Sequence, residues 1–150
     1  RGSDVNRLKA LAASKALNNV LFHDEIDPDE IPDLYAQCQA GIIALDPRHN
    51  THNIPGKFLT YMQNGLPALA NVNSGNDLVT LIRDEDVGEA CETNNLDELE
   101  ERCRGLIEKI DVDPLMSDRC IDLFYRNFSV SQAVEQIVAA LLREAEDCGG

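Results

Sequence analysis

The chain has no tryptophan, and aromatic residues make up only 5% of it. Cations are scarce as well: 13 lysines and arginines stand against 27 aspartates and glutamates, a formal net charge of −14. So acidic a chain argues against nucleic acid or anionic membrane as main partner, since both reward basic surface. A small local phosphate site remains open. No run of about 18 apolar residues occurs, so no segment reads as a membrane-spanning helix. Cys38, Cys91, Cys103, Cys120 and Cys148 are odd in number, widely spaced and without a CxxC pair. That pattern suits reduced thiols in a cytosolic protein, mostly small buried hydrophobes, rather than a disulfide framework or a zinc site. A GxGxxG fingerprint, a Walker loop and a nucleophile elbow are also missing. No signal-peptide pattern opens the sequence; Arg1 to Asp4 lead straight into a helical pattern, with Ser3 or Asp4 as its cap. So abrupt a start is expected of a piece of a longer chain.

What is present is one domain's length, 150 residues with 43% hydrophobic content, enough to bury a core without staples. Residues 4–17 place Val5, Leu8, Leu11, Ala12 and Leu17 at helical spacing, and Asn18-Asn19 stops that helix. Val20-Leu21-Phe22 reads as a short strand, and residues 28–38 as a helix opened by Pro28. Ala40 to Leu45 is a continuous apolar run, as expected of a strand buried on both faces of a parallel sheet. A polar loop at 46–56 leads to a short helix whose C′ residue is Gly65. Further strands are expected at 67–70 and 87–91, and helices at 76–83, 95–110, 114–127 and 129–146. Asn94 or Asn95 caps the helix at 95–110, and Ser129 with Gln132 forms a capping box for the last one. Strands alternating with single helices imply right-handed βαβ units on a parallel sheet, hence an α/β, Rossmann-like fold ending in helices. A helix precedes the first strand, which is unusual for a doubly wound domain.

Ligands of such sheets sit at the carboxyl ends of the strands. Between Lys15 and Arg83 the only lysine or arginine residues are Arg48 and Lys57, and His49 and His52 lie between those two. One basic island in so acidic a stretch is the sharpest local signal in the sequence. It runs into a helix start at Pro55-Gly56-Lys57, where free N–H groups and the helix dipole suit phosphate oxygens. Gly56 permits close approach, Lys57 adds a point charge and Arg48 a fork of donors. His49 and His52 lack the partners of a zinc site, so no metal and no cofactor is expected. The acids from Asp24 to Glu30 read as a solvated loop with favourable charge in a helix's first turn.

The order of NNVLFHDEIDPDEIPDLYAQCQAGIIAL and HNIPGKFLTYMQNGLPALA resembles the C-terminal, donor-binding domain of family 4 retaining glycosyltransferases of the GT-B fold. The resemblance covers about residues 5–142, and the nearest subgroup is that of bacterial surface-polysaccharide and lipopolysaccharide O-antigen synthesis. It implies a partial nucleotide-sugar-binding domain over residues 1–150, lacking its first strand–helix–strand, with the N-terminal acceptor domain absent and the fragment inactive alone. The implied reaction is metal-independent transfer of a sugar from a UDP- or GDP-sugar to a lipid-linked or saccharide acceptor. The implied location is cytoplasmic, peripheral at the inner membrane face in the full-length enzyme. The E-x7-E motif of that family falls on His52 and Thr60, so neither carboxylate is present. The resemblance assigns His52, Asn53, Ile54, Pro55, Gly56 and Lys57 to the donor diphosphate and sugar, and the charge reading adds Arg48. It assigns Thr60, His23, Asp24 and Ile31 to ribose and nucleobase, and it names no catalytic residue. A GT-B-like sugar-nucleotide epimerase and a non-catalytic flavodoxin-like regulatory domain are the alternatives.

Overall fold

The computed structural model describes residues 3–46, 53–93 and 95–147. The chain divides into two compact units, Arg1–Leu34 and Tyr35–Gly150. The first holds α1 (Val5–Ser14), a 3₁₀ turn (Pro28–Glu30) and the start of α2 (Ile31–Tyr35). Helix α1 stops before the expected Leu17, because Ala16 takes a left-handed φ of 52° and the Leu17 N–H closes back on the Ala12 carbonyl at 3.0 Å. The expected strand at Val20-Leu21-Phe22 does not form, and Leu21 is 77% exposed. A three-residue apolar run becomes a strand only where a neighbour takes up its backbone groups, and no described strand pairs with it. Asp27 caps the 3₁₀ turn through the Asp29 N–H at 3.1 Å, and Asp29 and Glu30 are the favourable first-turn acids.

The second unit contains a parallel sheet of β1 (Gly41–Ala44), β2 (Ala68–Asn71) and β3 (Gly88–Cys91), in that order. Helices α3 (Gly56–Gln63) and α4 (Asp77–Glu85) make the two crossovers, followed by α5 (Leu96–Val112), α6 (Met116–Asn127) and α7 (Val130–Asp147). Side chains alternate across β2. Ala68, Ala70 and Val72 join Ile43 and the apolar faces of α3, α4 and α6 in the main core, while Leu69 joins Leu106 and Met116 on the other face. This is an α/β, Rossmann-like arrangement flanked and finished by helices.

Strand β1 departs from the expected burial on both faces: Ile43 is buried, but Ile42 is 64% exposed. The helix packed on the sheet there, α5, lies mainly over β3 and β2 and leaves Ile42 at the side of a groove. Asn95 caps α5 by accepting the Asp97 N–H at 2.9 Å, and Asn94 lies outside the described residues. Ser129 performs half of the expected capping box, accepting the Gln132 N–H at 3.3 Å, while the Gln132 amide turns to Glu135.

The thiols split by burial. Burial pushes the Cys120 thiol up to about 12 and raises that of Cys91, so both stay protonated and inert near neutrality. Cys38 is exposed, against the expectation that most cysteines are buried, and Cys148 lies outside the described residues. Alkylation with iodoacetamide followed by peptide mapping should label Cys38 in the native chain and Cys120 only after unfolding. Native labelling of Cys120 would contradict this packing.

Candidate functional site

In a parallel sheet all carboxyl ends lie on one side, and here they lead into three loops. Strand β1 runs through Leu45 and Asp46 toward residues 47–52; these include Arg48, His49 and His52, which lie outside the described residues. The chain resumes at Asn53, which is exposed, and Ile54, which packs against the main core and anchors the loop's far end. Pro55 takes φ −63° and ψ 139°, the extended geometry that its ring favours, and α3 begins at once with Gly56.

This helix start has no side-chain cap. The Phe58 N–H reaches the Pro55 carbonyl at 2.9 Å, whereas the amides of Gly56 and Lys57 find no acceptor among the described residues. Asn76 and Asn95 show the contrast: each caps its own helix with a side-chain oxygen, at 3.0 and 2.9 Å. The α3 N-terminus therefore offers two N–H donors that no described residue takes up and the positive end of its dipole. A Cβ on Gly56 would meet no described atom within 4 Å. Lys57 is exposed and has no ion-pair partner among the described residues.

Thr60 lies one turn on, half-buried, and its hydroxyl donates to the Gly56 carbonyl at 3.2 Å. With its proton so engaged, it can still accept from a ligand hydroxyl but cannot give the two acceptor oxygens of a carboxylate. The loop after β2 opens beside this end, because Asn71 pairs in register with Ala44. Within it Asn73 and Asn76 are 5% and 2% exposed and bonded to each other at 3.3 Å. The Gly75 N–H is held by Glu92, at the end of β3, at 2.7 Å. Asn73 and Glu92 are not among the residues given a role from the sequence; the density of asparagine in NVNSGN was the available signal.

The predicted site residues divide between the two units. His23 and Asp24 are exposed in irregular chain of the first unit, without the strand expected to present them, and Ile31 opens α2 half-buried. Asn53 to Lys57 and Thr60 belong to the second unit. Two clefts lie away from α3. A polar one of about 210 Å³ borders β3, where Arg102 and Lys109 already pair with Glu89 at 3.4 and 2.5 Å. An apolar groove of about 540 Å³ runs past Ile42, Leu69, Leu106 and Ile107. No described helix is long and apolar enough to cross a membrane.

A family model described as glycosyl transferases group 1 matches residues 1–109. No curated protein and no solved structure matches the chain significantly.

Proposed function

The chain belongs to the group 1 glycosyl transferases, and from that premise we propose that the N-terminus of α3 holds the diphosphate of a nucleoside diphosphate sugar. The observation that carries this reading is the uncapped helix start at Gly56 and Lys57, beside a lysine with no ion-pair partner among the described residues. Two convergent N–H groups, a helix dipole and a lysine make a cradle for phosphate oxygens. Arg48 and His52 precede this helix start in the sequence and, with Asn53, complete the set assigned to the donor. Ile54, half-buried against the core, leads into this helix start.

During transfer the bond from the sugar's anomeric carbon to the diphosphate oxygen breaks. A bond to an acceptor oxygen forms, and the acceptor loses its proton. Negative charge grows on the leaving diphosphate, where fixed amides and the Lys57 ammonium stabilise it without a divalent metal. The donor base is uracil or guanine in this reading. The acceptor is lipid-linked or a saccharide of a bacterial surface polysaccharide, and the anomeric configuration is retained. Thr60, one turn above the phosphate amides, contributes a single hydroxyl to the ribose, so ribose binding is weaker than a carboxylate would make it.

Calorimetric titration of the chain with UDP, GDP and ADP tests the site. Binding of UDP or GDP is expected, and Lys57→Ala should weaken it by about 1–3 kcal/mol through loss of a charge-assisted contact. Unchanged affinity in that variant would remove Lys57 from the site, and absence of binding by all three nucleotides would overturn the reading.

A further inference from the structure

We propose that Tyr61 is a positioning residue that fixes the α3 N-terminus relative to the end of β1, a role that rests on the diphosphate reading above. Alternate residues of a parallel strand turn their backbone groups to the same neighbour. The Gly41 N–H donates to the Pro67 carbonyl at 2.8 Å and the Leu45 N–H to the Asn71 carbonyl at 3.0 Å, so this side of β1 faces β2. Ile42 turns its carbonyl to the opposite, open edge of β1. There it accepts the hydroxyl of Tyr61 at 3.1 Å, from nineteen residues further along the chain.

The ring that carries this hydroxyl is held from two further sides. It lies over Gly41, where a Cβ would sit 2.5 Å from Cδ2 and Cε2, and only a glycine leaves room for it. Tyr35 meets it edge-on, with centroids 5.3 Å apart and planes at 68°. The side chain is 8% exposed, and burial raises its phenol above the ordinary range, so the hydroxyl keeps its proton as donor.

Position along the chain turns this bond into a clamp on the site. Residues 45–55 join β1 to α3, and Tyr61 ties the helix back to the strand on the other side of that loop. It sits five residues past Gly56, about 7.5 Å along the helix axis at the usual rise. The neighbouring anchors Phe58, Met62 and Leu66 are apolar, and dispersion contacts set a distance but tolerate sliding. A hydrogen bond weakens steeply with misalignment, so the Tyr61 hydroxyl sets where along β1 the helix stops. The aim of the Gly56 and Lys57 amides follows from that stop.

Tyr61→Phe removes the hydroxyl and keeps the ring, and Ile82→Val serves as a stability control in the same core, on α4, which packs on β3. Calorimetry with UDP and GDP is run well below both melting temperatures. Exchange of the Phe58 amide, which bonds Pro55 in the first turn, is followed by NMR. Tyr61→Phe is expected to weaken nucleotide binding about 5- to 20-fold and speed Phe58 exchange, with Ile82→Val like the parent chain in both. Gly41→Ala, which displaces the ring, should reproduce the Tyr61→Phe affinity. If Tyr61→Phe binds as the parent does, or the Ile82→Val control weakens binding as much as Tyr61→Phe does, the positioning role is overturned and the diphosphate site stands. If the parent chain binds no nucleotide, the diphosphate reading falls and the positioning role falls with it.

Discussion

Gly88→Ala is expected to remove about 3–5 kcal/mol of stability, most of what a domain of this size possesses. Two penalties coincide at this position. The glycine has φ +157°, in a region that L side chains rarely adopt. An added Cβ would also sit 2.0 Å from the carbonyl oxygen of Ala68 and 2.9 Å from its carbonyl carbon and amide nitrogen. These are backbone atoms of the central strand and cannot swing aside as a flexible side chain does. Relief requires β2 and β3 to part, which would break the bond from the Ala68 N–H to the Val87 carbonyl at 3.0 Å. Urea unfolding followed by circular dichroism measures the loss. A change below about 1 kcal/mol would show that β3 shifts cheaply and that the β2–β3 contact is looser than described.

Phe58→Ala should cost about 3–5 kcal/mol, the usual range for emptying a fully buried aromatic site. Phe58 is 0% exposed and meets Phe128 edge-on, with centroids 6.4 Å apart and planes at 87°. The cavity would open in the first turn of α3, directly after Lys57. The same variant should therefore lose nucleotide affinity at temperatures where it remains folded, a second readout by titration. Retention of parent-like stability would mean that α3 and the segment after α6 collapse onto the vacancy, contrary to the close packing of this core.

Both predictions depend on residues whose role the sequence states only in part. Gly65 shows a legible case: it follows an apolar helical pattern and precedes Leu66-Pro67, and it takes φ +66° as the C′ residue of α3. Gly88 shows the opposite case. Nothing in VGEAC distinguishes it from an ordinary strand glycine, because the atom that forbids a side chain belongs to Ala68, twenty residues earlier. Helix α4 ends on Asp86, at φ 49°, where glycine is the usual choice. The Asp86 carbonyl and carboxylate both accept from Arg119, at 3.0 and 3.1 Å, a compensation that comes from a distant helix and is invisible locally.

The candidate site divides in the same way. Charge alone singled out the loop at 46–56, because a basic island in an acidic chain is a one-dimensional signal. The uncapped start at Pro55-Gly56 was also legible, since proline followed by glycine supplies no side-chain acceptor. The expected strand at Val20 to Phe22 failed because hydrophobicity over three residues does not say whether a pairing partner exists. Burial of Ile42 was misjudged for a related reason: a continuous apolar run cannot reveal how far α5 reaches across the sheet.

By itself, then, the sequence determined the order of elements from β1 onward, the parallel character of the sheet and the loop at which anionic chemistry is concentrated. Periodicity, capping residues and charge are properties of neighbouring residues, and they survive without the fold. The tertiary structure alone decided that Ile42 lies bare, that Gly88 must be glycine and that the Tyr61 hydroxyl reaches the open edge of β1. Each of these depends on atoms brought within a few ångströms by a crossover, and no local pattern encodes such a distance.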